Sequence, residues 1–136
     1  MKILVFEPMK KPYVKDIKDN IHAMQEIVGG SIEPIYFEPK QDAIVWCNDE
    51  FLLNGSEPNR IVGATLVHGT FYISGNFQNE YGEWDSCSLT DEQIEKYKEQ
   101  FSHMIVEPTQ TPYEQSNNAI NRRYCYIKEM TASIML

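Results

Sequence analysis

The chain has 136 residues, of which 42% are hydrophobic and 12% aromatic, and its formal net charge is −8. This composition predicts one folded domain with a single hydrophobic core and argues against a disordered chain. The negative charge disfavours direct binding of nucleic acid, whose phosphates it repels. No apolar run approaches about 18 residues, the length that predicts a membrane span.

The beginning of the chain and its cysteines indicate a cytoplasmic protein. The apolar run in "MKILVFEPMKKP" is too short for a secretory signal and lacks a small-residue cleavage site. Three cysteines are an odd number, and Cys47, Cys87 and Cys125 are far apart with no CxxC pair. We therefore expect reduced thiols and neither a disulfide framework, a zinc module nor any other cofactor.

The first two predicted elements are a strand and a helix. Both alternating sets of residues are apolar in "KILVFEP", which predicts a central strand buried on both faces. A helix is predicted over residues 13–28, where one apolar stripe recurs at spacings of three and four. Gly29-Gly30 supplies its C-terminal cap. The stripe consists of Val14, Ile17, Ile21, Met24 and Val28.

Several strands are predicted in the middle of the chain. Residues 32–37 form a candidate in which Pro34, lacking an N–H donor, indicates an edge or a bulge. Residues 43–47 are a second candidate, and residues 51–53 can pair back on it. The strongest is "ATLVHGTFYISGNF" (residues 64–77), where an internal Gly69 suggests a bulge or a close approach of another group.

The last third of the chain divides into a helix and a tail. Thr90 and Gln93 form a capping box that begins a helix predicted over residues 91–104. A polar, proline-bearing stretch follows, so we divide the chain into a domain (1–106) and a C-terminal extension (107–136). The predicted class is α+β: a mostly antiparallel sheet of four to six strands with two helices packed on one face.

Motif searches give little sign of catalysis. The sequence contains no GxGxxG, Walker loop, HExxH, nucleophile elbow or EF-hand. His68 is a candidate base, but no serine, cysteine or second histidine stands at a recognisable spacing. We therefore expect a protein that is not an enzyme.

Five segments of the chain resemble an uncharacterised family, domain of unknown function 3846. They are "MKILVFEP", "IVGG" at 27–30, "CNDEFLLNGSEPNR" at 47–60, "GTFYISG" at 69–75 and "SLTDEQIEKYKEQF" at 88–101. The resemblance covers residues 1–102. It implies a protein of phages, plasmids or conjugative elements of Firmicutes, often encoded near antirestriction-type proteins, and it carries over no catalytic residues.

The segment from Asn54 to Arg60 allows two interpretations. Arg60 is the first arginine of the chain, and no other occurs before residue 122. In the structural interpretation, Asn54-Gly55 forms a tight turn and Arg60 ties a loop to a carboxylate. In the functional interpretation, Arg60 presents a planar fork to an anion, while Asn48, Asn54 and Asn59 offer donors and acceptors to a base or ribose.

Two functions of different classes follow. The first is an inhibitor of a host defence protein. Residues 51–106 carry 3 basic and 8 acidic side chains, so we expect their acidic surface to bind a basic groove of that host protein. The second is a module that binds or sequesters a small nucleotide signal. A catalytic version of this module, a hydrolase of that signal, ranks third. The sequence leaves open whether the chain forms a homodimer. The candidate binding residues for the two functions are Asn48, Asn54, Asn59, Arg60, His68, Glu80, Glu83 and Asp85.

Overall fold

A computed structural model of the chain describes residues 1–51 and 55–105 and confirms the α+β class. The elements are β1 (Lys2–Phe6), β2 (Tyr13–Asp16), α1 (Ile21–Val28), β3 (Ile32–Ile35), β4 (Ala43–Asn48), β5 (Pro58–Val62), β6 (Thr65–His68), β7 (Phe71–Gln78), β8 (Trp84–Cys87) and α2 (Asp91–Gln100). Within the described residues, six strands form the main sheet in the order β2-β1-β7-β4-β3, with β8 beside β7, while β5 and β6 form a separate hairpin. Each of these strand pairs is antiparallel.

The first strand lies inside the sheet, as its two apolar sets predicted. β1 pairs with β2 on one side and with β7 on the other, and its last four residues are buried. Successive side chains of a strand point to opposite faces. Leu4 and Phe6 therefore enter one hydrophobic cluster, and Ile3 and Val5 enter another.

The two helices lie on opposite faces of the sheet, which corrects the expectation that both pack on one face. Ile94 and Tyr97 of α2 join the cluster of Leu4 and Phe6. Val28 of α1 joins the cluster of Ile3 and Val5. A sheet that is apolar on both faces needs a cover on each of them, and one helix serves each face.

The prediction of one helix over residues 13–28 was wrong in its first half. Residues 13–16 form β2, with Val14 opposite Leu4, and the helix begins only at Ile21. Asn20 sets this start because its side-chain oxygen accepts a hydrogen bond from the Ala23 amide at 2.9 Å. The second helix was predicted better: the Thr90–Gln93 capping box is present, although the helix ends at Gln100 and not at residue 104.

The segment 64–77 contains two strands in different sheets, not one. Gly69 adopts a φ of 76° between β6 and β7, in the left-handed region that favours glycine. Its amide donates a hydrogen bond to the Glu57 carbonyl at 2.7 Å, which closes the β5–β6 hairpin. Pro34 does lie in an edge strand, as predicted, because β3 ends the strand order.

Two further expectations concern a membrane span and the C-terminal extension. Neither helix in residues 1–51 and 55–105 is long and apolar enough to cross a membrane. The predicted C-terminal extension, residues 107–136, lies outside the described residues.

A matched pair of substitutions tests which residues of the segment 13–28 are buried against the sheet. Ile17 is buried, whereas Ile21 is 50% exposed at the start of α1. Ile17→Asp should lower the free energy of unfolding by about 3 kcal/mol, because it buries an unpaired carboxylate. Ile21→Asp should change it by less than about 1 kcal/mol, since its carboxylate would be solvated near a helix N-terminus. Chemical denaturation measures the free energy of unfolding of both variants. Equal losses would contradict the finding that Ile17 is buried and Ile21 exposed.

Candidate functional site

Arg60 lies on β5 with its side chain inside the domain, 1% exposed. Its Nε donates a hydrogen bond to the Phe101 carbonyl at 2.9 Å, and its Nη2 donates to the Lys10 carbonyl at 2.7 Å. Its Nη1 donates to the Glu7 carbonyl at 3.3 Å and to the Asn59 Oδ1 at 2.8 Å. These bonds use four of the five N–H donors of a guanidinium.

The partners of the guanidinium are neutral oxygens and a ring, which corrects the expectation that Arg60 ties a loop to a carboxylate. Phe101 caps the C-terminal end of α2, where the helix dipole concentrates negative charge and favours a cation. The guanidinium carbon lies 5.4 Å from the centre of the Phe6 ring, within the range of a cation–π contact. Burial lowers the pKa of Arg60 to about 10, which leaves the group charged at neutral pH.

Asn59 is fully buried beside Arg60 and extends the same network. Its Nδ2 donates hydrogen bonds to the Phe6 carbonyl at 2.9 Å and to the Gly69 carbonyl at 2.7 Å. Its own carbonyl accepts from the Ile105 amide at 3.4 Å. Asn59 and Arg60 thus join the end of β1, the turn before β7, the end of α2 and the chain that follows α2.

A β-bulge explains how two consecutive residues of one strand are both buried. Pro58 pairs with His68 and Arg60 with Val67, so that Asn59 is an extra residue in β5. A bulge interrupts the strict alternation of side chains and redirects one of them. Without this shift, the residue next to Arg60 would point to the opposite face of the hairpin.

Asn48 has a separate structural role at the end of α1. Its Nδ2 donates a hydrogen bond to the Val28 carbonyl at 3.2 Å, and its Oδ1 accepts from the Glu50 amide at 2.8 Å. A Cβ on Gly30 would lie 2.9 Å from the Asn48 Nδ2. The "IVGG" motif therefore combines a left-handed helix cap at Gly29 with a close approach to Asn48 at Gly30.

His68 and Asn54 complete the candidate residues of the central segment. The Nδ1 of His68 lies 3.0 Å from the Ser56 carbonyl, and its ring stacks on Phe51 at 5.8 Å between centroids. Asn54 lies outside the described residues. The structure thus brings Asn59 and Arg60 together and places Asn48 in a different network, at the end of α1.

The three acidic candidates, Glu80, Glu83 and Asp85, are exposed on the β7–β8 hairpin. They belong to a longer acidic region: residues 41–95 contain ten carboxylates, and each of these residues is exposed. The same region contains one lysine or arginine, the buried Arg60. Among the described residues, two of the ten carboxylates lie within 4.0 Å of a lysine, in the pairs Lys2–Asp91 and Lys98–Glu95. The other eight carboxylates have no lysine or arginine of the described residues within that distance.

The described residues contain few side chains that could bind a metal ion or act as a nucleophile. In residues 1–51 and 55–105, no three His, Cys, Asp or Glu side chains converge as a cation site. Burial raises the pKa of the Cys47 thiol to about 12, and burial together with Asp85 raises the pKa of Cys87. Both thiols are therefore protonated at neutral pH.

This geometry favours the structural interpretation of Arg60. A nucleotide site would need the guanidinium and the Asn48 and Asn59 amides to face a ligand. In the structure, their hydrogen bonds go to oxygens of the protein itself. The acidic surface is the candidate site whose polar groups face outward.

Substitution of Arg60 tests the structural interpretation. Arg60→Met keeps much of the stem but leaves buried carbonyls without donors, so we expect a loss of about 3 kcal/mol in the free energy of unfolding. Arg60→Lys should also destabilise, because a single ammonium cannot reach acceptors on both sides of a planar fork. Denaturation curves measure both variants.

Lys40→Met is the matched control, since it removes one positive charge at an exposed position. Its stability should stay within about 0.5 kcal/mol of the parent. If Arg60→Met were as stable as Lys40→Met, the guanidinium network would not hold the domain together.

Comparison with known proteins gives a family but no described function. A search of curated proteins found no match, and a search of solved structures found none either. The model of one family, described as a domain of unknown function (DUF3846), matches residues 1–102. That range contains the two helices and the eight strands of the described residues, together with Asn59 and Arg60. The chain belongs to the DUF3846 family.

Proposed function

We propose that this protein is a non-catalytic accessory protein of a phage or another mobile genetic element. It acts in the host cytoplasm, where it counters a defence system by binding and inhibiting a host protein. The observation that carries the proposal is the acidic region of residues 41–95, whose ten carboxylates are exposed and whose one lysine or arginine, Arg60, is buried.

The negative charge of the exposed carboxylates in residues 41–95 is complementary to a partner with a basic groove. Most defence proteins that handle nucleic acid need positive side chains to bind phosphates. An acidic protein competes for the same groove, and complementary charge accelerates its association by about 10 to 1,000 times. The same charge keeps the protein away from nucleic acid itself.

The burial of Arg60 contributes to this surface. An exposed arginine among the ten carboxylates would neutralise some of them and add a group that attracts phosphate. Inside the domain, the guanidinium is surrounded by carbonyl oxygens and has no exposed face. The buried guanidinium therefore offers no N–H group to a phosphate at the surface, although its charge still counts in the net charge of −8.

The salt dependence of association tests the proposal. The immobilised protein would capture its partner from a lysate of a Firmicutes host, and the association rate of the purified pair would then be measured at low and high salt. We expect the rate to fall by about tenfold or more between 50 mM and 500 mM salt. We also expect duplex nucleic acid to compete with the protein for the partner.

Two results would contradict the proposal. One is association that does not depend on salt and does not compete with nucleic acid. The other is thermal stabilisation of the protein by a nucleotide, which at 100 times its Kd amounts to about 2.7 kcal/mol. That second result would favour the alternative function, sequestration of a nucleotide signal.

A further inference from the structure

The β7–β8 hairpin exposes three aromatic side chains next to its three carboxylates. Phe77 is 44% exposed, Tyr81 79% and Trp84 48%. Large apolar side chains grouped on a surface mark interaction sites more often than scattered ones do. Trp and Tyr are also the side chains that contribute most to binding energy at protein interfaces.

The register of the hairpin distributes these rings over two faces and a tip. Phe77 pairs with Asp85, and Gln78 pairs with Trp84. Directly opposed residues share a face with their Cβ atoms about 5 Å apart, so Phe77 has a carboxylate beside its ring. Trp84 lies on the other face, and Tyr81 lies in the turn between the strands.

The turn is held by its own hydrogen bonds and is therefore ordered before any partner arrives. The Asn79 Oδ1 accepts from the amides of Tyr81 and Glu83, each at 2.9 Å. The Asn79 amide donates to the Glu83 carbonyl at 2.8 Å, and Gly82 adopts a φ of 82°. The Gln78 Nε2 donates to the Gly82 carbonyl at 2.9 Å. Preorganisation of this kind reduces the entropy that binding loses.

We propose that this hairpin is the contact element of the acidic surface, and that it binds an arginine-bearing segment of a partner protein. The inference rests on the proposed function and names the partner chemistry. No lysine or arginine occurs between residues 61 and 95, so the carboxylates of the hairpin have no such cation in their own segment. Arginine suits the site better than lysine because its planar guanidinium stacks on a ring while it donates two bonds to a carboxylate.

Peptide probes test the preference for arginine. Two dye-labelled octapeptides, one alternating glycine with arginine and one alternating glycine with lysine, carry the same charge. Fluorescence anisotropy at low salt would measure their Kd values for the full chain. We expect the arginine peptide to bind about threefold to tenfold more tightly. Equal Kd values for the two peptides would overturn the proposal.

Replacement of the exposed aromatic residues by alanine tests whether the hairpin causes the preference for the arginine peptide. Phe77→Ala and Tyr81→Ala should each reduce the ratio of the two Kd values, while the lysine peptide keeps its Kd. Tyr36→Ala is the matched control, since Tyr36 is 65% exposed and lies just beyond β3. Thermal melts would verify that each variant folds. A ratio that is unchanged in Phe77→Ala and Tyr81→Ala would overturn the proposal.

Charge substitutions separate local contact from general attraction. The hairpin triple variant is Glu80→Gln, Glu83→Gln, Asp85→Asn, and the control triple variant is Asp49→Asn, Glu50→Gln, Glu57→Gln. Both remove three exposed carboxylates and the same net charge. We expect the hairpin variant to weaken binding of the arginine peptide at least threefold more than the control does. Equal weakening would overturn the hairpin contact and leave the proposed acidic inhibitor in place.

A second copy of the chain is the other partner that the β7–β8 hairpin could bind. Sedimentation analysis of the parent and of Trp84→Ala, without peptide, distinguishes the two cases. We expect the same sedimentation for both proteins. If the parent were a dimer and Trp84→Ala a monomer, the hairpin would be a self-association surface, and the proposed arginine site would be overturned.

Discussion

The buried guanidinium of Arg60 is the interaction on which the arrangement of the domain depends. It joins the loop after β1 to the end of α2 from a position on β5, three segments that are far apart in sequence. Each partner is a carbonyl oxygen that would be costly to bury without a donor. Asn59 adds the turn before β7 and the chain after α2. The small hairpin β5–β6 is thereby fixed to the main sheet.

This use of arginine connects the fold to the proposed function. Arg60 is the one lysine or arginine of the region 41–95, and because its side chain is buried, no lysine or arginine of that region is exposed beside the ten carboxylates. The β7–β8 hairpin adds aromatic rings to that surface. Carboxylates can steer a partner from a distance, whereas ordered rings can hold it at contact range.

Sequence patterns predicted the parts of the fold that are locally determined. The capping box at Thr90, the two apolar sets of β1 and the edge position of Pro34 each depend on a few neighbouring residues. The pattern failed at residues 13–16, since a helical spacing of apolar residues also fits a short strand followed by a loop. The bulge at Asn59 and the burial of Arg60 depend on distant partners. The arginine was identified as unusual, but nothing near it in sequence indicates carbonyl partners.

The association rate of a folded Arg60→Lys variant with the captured host partner tests the central claim most directly. The claim is that Arg60 stabilises the domain and that binding takes place on the acidic surface. Measured well below its melting temperature, this variant should associate as fast as the parent protein, although it is less stable. A folded Arg60→Lys variant that associates at least tenfold more slowly would contradict the account, because the guanidinium would then belong to the binding site.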